Sequence, residues 1–204
     1  MDGIHDPARL IAFVTFSAVV AGTPGPSNAL LAAAGATVGV RRGLPSLLGQ
    51  VTGMGAMLFA ITLGLGGVLL AHPLAIQVLR WGGAAVLCWI AWRMATAGHA
   101  GQATKAPAGF LGMAAFQWVN PKGWLVGIAA IATFLGGRAD GVLAQAVLFA
   151  TVFTLVALPA CLPWLAFGAA IQRFLRSARA WRVFNAAMAG LLAASTILLV
   201  WTRF

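Results

Sequence analysis

The chain has 204 residues, of which 61% are hydrophobic and only 8% charged, against roughly a quarter charged in a soluble domain. Its net charge of +10 comes from 13 Lys and Arg set against only 3 acids, so it reflects missing acids and not an enrichment in bases. With a mean hydropathy of +0.95 there is too little polar surface to cover a water-soluble globule. A soluble enzyme, a nucleic-acid binder and a disordered regulator are thereby excluded.

Crossing a hydrocarbon core of about 30 Å takes roughly 20 apolar residues per helix, so about six spans would use nearly the whole chain. In chain order the expected segments are Leu10 to Val40, Leu44 to Ala71, Leu74 to Ala97, Phe110 to Gly136, Val142 to Ile171 and Val183 to Trp201. Clusters of charge, Gly and Pro separate them. The runs are continuously apolar and rich in Ala and Leu, without the alternation of barrel strands, so the predicted class is an all-α integral membrane protein. Asp2, Asp6 and Arg9 open the chain; that is the wrong charge for a signal peptide, and the first segment is expected to be retained. Pro159 and Pro163 should bend the fifth span. Cys88 and Cys161 lie inside spans, form no C-x-x-C pair, and read as buried free thiols.

Basic residues mark the cytoplasmic ends of membrane helices. Arg41 and Arg42 follow span one, Arg93 and Lys105 surround the loop after span three, and Arg173, Arg176, Arg179 and Arg182 follow span five. Arg9, Arg138 and Arg203 fall on the other side. Both termini are therefore expected outside, unless the long first segment is a re-entrant hairpin, which would place the N-terminus inside.

The two halves of the chain resemble each other. Thr23-Pro24-Gly25-Pro26-Ser27-Asn28 interrupts the first segment and Asn120-Pro121-Lys122-Gly123 interrupts the fourth. Each break is followed by an apolar stretch that ends in a charged Gly turn, VGVRRG at 38–43 and GGRADG at 136–141. Three spans per repeat would insert the second copy upside down relative to the first, the inverted-repeat plan of secondary transporters. The expected organisation is one transmembrane domain over 1–204, with repeat one at about 9–97, a linker at about 98–109 and repeat two at about 110–204.

A proline inside a helix removes a donor and frees a carbonyl one turn earlier, and in lipid such groups need protein or an aqueous cavity. The half-helix starting after Pro26 offers N–H groups around Ser27 and Asn28, and the one after Pro121 offers them around Lys122 and Gly123. Two helix N-termini meeting at mid-membrane would receive a carboxylate, with Ser27, Asn28 and Asn120 as orienting side chains. The plainer reading of TPGP alone is a packing kink. Lys122 is the basic residue placed deepest in a span; it either pairs with a substrate carboxylate or snorkels to an interface. No Asp or Glu lies in any expected span, so neither Lys122 nor a cationic substrate would find a counter-ion. Gln117, one turn before the second break, is a further binding candidate. Gln50, Thr52, Thr133, Thr151 and Thr154 are expected to bond across helices or to their own backbones. Trp118 and Trp124 flank the second break, either as cavity walls or as packing. Gly35/Gly39, Gly49/Gly53 and Gly123/Gly127 fit close helix contacts.

The runs TPGPSNALLAAAGATVGVRRGLPSLLGQVTG and FQWVNPKGWLVGIAAIATF resemble the LysE/RhtB family of bacterial amino-acid exporters. The family's Pro-Gly-Pro corresponds to Pro24, Gly25 and Pro26, its glycine-framed basic loop to Gly35, Gly39, Arg41 and Gly43, and its Asn-Pro-Lys to Asn120, Pro121 and Lys122. Where the family often has Asn after Pro-Gly-Pro, this chain has Ser27 followed by Asn28. The resemblance implies an inner-membrane transporter, not an enzyme, that exports neutral amino acids such as homoserine, threonine or leucine by alternating access. The absence of intramembrane acids disfavours Lys or Arg as cargo. No P-loop is present, so a membrane potential or ion gradient is the expected energy source, proton antiport being what the family implies. The expected partners are the amino-acid substrate and membrane lipid, with no nucleic acid, cofactor or metal, and with a homo-oligomer left open. The residues alone also admit a non-transporting membrane protein, an assembly factor or a lipid-substrate enzyme, although the spans lack the acids and His of a catalytic set.

Overall fold

A computed structural model of the chain describes residues 7–97, 109–134 and 141–201, and every element among them is helical. The linker, the charged turn at 136–140 and the basic residues Lys105, Arg138 and Arg203 lie outside the described residues. In chain order the helices are α1 (Pro7–Gly22), α2 (Pro26–Ala60), a π-helical turn (Ile61–Leu65), α3 (Gly66–Ala71), α4 (Pro73–Thr96), α5 (Gly109–Val119), α6 (Pro121–Phe134), α7 (Val142–Gln172) and α8 (Ala178–Trp201).

Both expected breaks are present. Pro24 cannot donate to a continuing helix and disfavours a helical Thr23, so α1 stops at Gly22. Pro26 then opens α2 at its first turn, where no donor is needed. Pro121 opens α6 in the same way after α5 ends at Val119. Pro45, Pro159 and Pro163 instead sit within helices that continue through them.

Helix α2 is two arms, because Gly39 has φ 77° and ψ 176° in its middle. Such a φ is open to glycine and strained for other residues. This corrects the expectation that Gly39 serves packing: a Cβ there would have nothing within 4 Å. The contacts of α7 show the reversal. Phe13 meets Phe149, Gly22 faces Ala160, and Ala32 and Ala36 face Gly168, so α1 and residues 26–38 run along α7 in one direction. Gly43 faces Leu165, Gln50 bonds Cys161 and Gly55 faces Thr154, so residues 40–60 return in the other. The first segment is accordingly one broken helix followed by a returning one, not a hairpin that re-emerges on its own side.

The second broken helix follows the returning arm. Gly49 faces Phe110, Gly53 faces Ala114, Gly123 faces Met57 and Gly127 faces Ile61. These four glycines, with Gly35 against the Leu165 carbonyl, act as the small-residue contacts expected of them. The two broken helices thus run in opposite directions relative to the returning arm.

Pro26–Ala71, Pro73–Thr96 and Val142–Gln172 are long and apolar enough to cross a membrane. Pro7–Gly22, Gly109–Val119 and Pro121–Phe134 are shorter apolar helices, and they become long enough only when α1 is stacked on residues 26–38 and α5 on α6. The last helix begins at Ala178, earlier than the expected Val183, because Ser177 Oγ accepts from the Ala180 amide at 3.1 Å and caps it. Arg179 and Arg182 are therefore in its first turns.

The core is apolar on both sides of α2. Phe13, Leu31, Leu47, Phe149, Phe153 and Leu165 join α1, α2 and α7. Leu30, Leu87, Ile90, Met113, Phe116 and Leu192 join α2, α4, α5 and α8. Large apolar side chains such as Ile11, Leu74, Leu111, Leu143 and Leu155 remain exposed around the bundle, an outer surface suited to lipid. The Gly39 turn, the end of α7 and the start of α8 share one end: Ala36 packs on Trp181 and Phe184, and Asn185 Nδ2 donates to the Ala97 carbonyl at 3.0 Å. Arg41, Arg42, Arg93, Arg173, Arg176, Arg179 and Arg182 gather there.

Candidate functional site

The two breaks lie side by side. Ser27 Oγ donates to Gln117 Oε1 at 3.0 Å and accepts from Asn120 Nδ2 at 3.1 Å. One hydroxyl thus joins the start of α2 to the α5–α6 break. On its other side Asn28 Nδ2 donates to the carbonyls of Ala21 at 2.7 Å and Thr23 at 2.9 Å. Its Oδ1 accepts from Gln50 Nε2 at 2.8 Å.

The carbonyls freed by the first break are largely taken by protein donors and not left to an aqueous cavity. Besides Asn28, Trp164 Nε1 donates to Gly22 at 3.0 Å and Cys161 Sγ to Ala21 at 3.4 Å. The second break is also closed from within. Asn120 caps α6, its Oδ1 accepting from the Lys122 amide at 3.2 Å and its carbonyl from the Gly123 amide at 3.0 Å. Trp124 Nε1 donates to the Trp118 carbonyl at 2.9 Å, with the two rings 5.9 Å apart. These tryptophans brace the break and do not wall the cavity. The N–H groups expected to be free around Lys122 and Gly123 are therefore engaged, and of the two breaks it is the start of α2 that keeps uncapped first-turn donors.

A cavity of about 450 Å³, including its open mouth, lies against this junction. Gly25, Pro26, Ser27, Asn28, Gln117, Asn120 and Lys122 all line it. Pro24 and Pro121 do not: Pro24 offers its carbonyl to Lys122 Nζ at 3.5 Å, and Pro121 is buried where it packs on Gly83. The Lys122 stem crosses Gly25 so closely that a Cβ there would lie 2.9 Å from Nζ. Lys122 therefore lies across the first break, on the cavity wall, rather than stretching away along its own helix. A Cβ at position 25 would push that ammonium aside.

The remaining wall is Val20, Ala21, Thr23, Val51, Met54, Gly123, Val126, Phe153 and Ala157, together with Gln50 and Cys161. Val20, Met54, Val126 and Phe153 lie beyond the breaks, away from the arginine end. Toward that end the side chains of Leu31, Leu47, Met113 and Leu165 are closely packed. Sequence reasoning had Gln50 as an ordinary cross-helix polar group and Cys161 as an inert thiol. Both belong to the cavity, and Gln117, expected to bind, spends its Nε2 on the Met113 carbonyl at 2.9 Å.

The LysE type translocator family matches residues 18–202. The cysteine/O-acetylserine efflux protein of Salmonella choleraesuis (strain SC-B67) is 35% identical over 131 residues, 63% of this chain and 67% of its own length. The protein of the same name from Escherichia coli (strain K12) is 33% identical over the same shares. No solved structure matches. With the family covering both breaks and the cavity between them, the chain belongs to the LysE-type translocators, integral membrane amino-acid efflux transporters and not enzymes.

Proposed function

We propose that the chain exports small neutral amino acids or their derivatives from the cytoplasm across the inner membrane, and that the cavity at the paired breaks is the binding site. The observation that carries this is Lys122, an ammonium on the wall of a cavity between two broken helices. Its wall can hold a carboxylate through the Lys122 ammonium and the uncapped start of α2. Elsewhere on the wall Met54, Val51, Val126 and Phe153 suit a short side chain of modest polarity. Cysteine and O-acetylserine, named for the relatives, are of that size, as are homoserine and threonine; leucine is the bulkiest and least polar of the expected set.

The arginine end is assigned to the cytoplasm, with both termini outside. The cavity then reaches outward from the breaks, and the Asn28–Gln50 and Ser27–Gln117 hydrogen bonds lie on its cytoplasmic side. Alternating access would open that side and close the other. The opposed broken helices support an inverted repeat of 9–97 and 110–204, each half rocking against its mate. The energy source is an ion gradient or the membrane potential.

Cells lacking their own exporters and producing this chain are loaded with Cys-, Ser-, Thr- or Leu-containing dipeptides, and each released amino acid is measured. Faster release of the small neutral residues is expected. Correctly inserted protein that releases none of them overturns the proposal.

A further inference from the structure

Gln50 is buried at 4% exposure and lines the cavity, and its Oε1 has no hydrogen-bond partner among the described residues. A buried acceptor without a donor is costly, so such a group is rarely left alone unless something else supplies the donor. Its orientation is imposed from the first break. The Ala21 and Thr23 carbonyls can only accept, so they face Asn28 Nδ2 and turn Oδ1 toward Gln50. Oδ1 in turn demands a donor and receives Gln50 Nε2 at 2.8 Å, which also reaches Cys161 Sγ at 3.3 Å. The amide cannot flip without setting two oxygens against each other. Oε1 is left as a fixed, buried acceptor on a residue of the cavity wall, the wall that also carries Lys122.

The geometry points to Gln50 as the residue that recognises the substrate's α-ammonium through Oε1, while Lys122 holds the carboxylate. This rests on the binding site proposed above. The arrangement explains how a site whose described residues include no acid distinguishes an amino acid from a simple carboxylic acid: the ammonium is read by an oriented neutral dipole. A carbonyl oxygen is a sufficient partner for one N–H of an ammonium, and a charge-assisted bond of this kind is worth about tenfold or more in affinity.

The purified full-length protein is titrated in detergent with L-cysteine and with 3-mercaptopropionate, which keeps the carboxylate and thiol but lacks the ammonium. Wild type is expected to prefer L-cysteine by about tenfold or more. Gln50→Met, close in shape but without the acceptor, should lose that preference mainly by weakening L-cysteine. An unchanged preference in Gln50→Met overturns the assignment. So does equal binding of both compounds by wild type, a result that needs no variant to fold. Wild type that binds neither compound sinks the proposed site itself and this assignment with it, whereas binding without discrimination sinks the Gln50 role alone.

Discussion

Gln50 donates from Nε2 to Asn28 Oδ1 at 2.8 Å although the two residues are 22 positions apart in one helical run. A straight helix would hold them ~33 Å apart at about 1.5 Å per residue. The chain must fold back between them, and Gly39, with φ 77°, stands midway in the sequence. The reversal at Gly39 therefore brings the returning arm of α2 to the first break and completes the polar wall of the cavity.

Gly39→Val should be the most damaging change at the turn. The side chain meets open space, so its cost is backbone strain of about 1–3 kcal/mol. Thermal unfolding of the purified protein should show a lowered midpoint, with Gly39→Asn milder because Asn tolerates positive φ better.

Gly168→Ala and Gly190→Ala separate close packing from open surface. A Cβ on Gly168 would collide with the Ala32 carbonyl, whereas one on Gly190 would meet nothing within 4 Å among the described residues. The first should lower stability by about 1–3 kcal/mol through overpacking. The second should leave stability unchanged or raise it by about 1 kcal/mol through helix propensity. The same thermal measurement distinguishes them.

Lys122→Met should abolish export while the protein still accumulates in the membrane, because the residue serves the cavity and its side chain's one hydrogen bond among the described residues, to Pro24, is long at 3.5 Å. Gly25→Ala should reduce export as well, by displacing the Lys122 ammonium from a position 2.9 Å away. Normal export by both variants would move the site elsewhere.

Asn28→Ala removes the donor shared by the Ala21 and Thr23 carbonyls and the acceptor of Gln50. Each buried group left unpaired costs about 1–3 kcal/mol, so this variant should be less stable than Lys122→Met and should lose export too. Melting curves of the two variants side by side provide the comparison.

Cysteines introduced at positions 40 and 72 should be labelled from opposite sides of the membrane, position 40 from the cytoplasm. Labelling of position 40 from outside in intact cells would reverse the proposed orientation.

The breaks were legible in the sequence because proline acts locally: Pro24, Pro26 and Pro121 lack a donor wherever they stand, and an apolar run makes the interruption conspicuous. Lys122 was legible for a related reason, a charge in a segment that otherwise carries none. Gln50 and Cys161 were not. Their roles depend on contacts across 22 and 111 positions, and in a membrane helix both faces are apolar, so hydrophobic periodicity does not reveal which face turns inward. The capping of the second break was hidden as well, since Asn120 reads equally well as a ligand and as a helix cap.

Composition and the two proline-bearing motifs determined that this is a helical membrane protein with two interrupted apolar segments and a cation at one interruption, because burial cost and backbone donor loss belong to residue types and act locally. Which polar groups seal the breaks and which remain for a ligand was decided only by the tertiary structure. Hydrogen-bond satisfaction is a property of the assembled neighbourhood: Asn28 and Asn120 became internal supports, and an amide oxygen on Gln50 was left without a partner among the described residues.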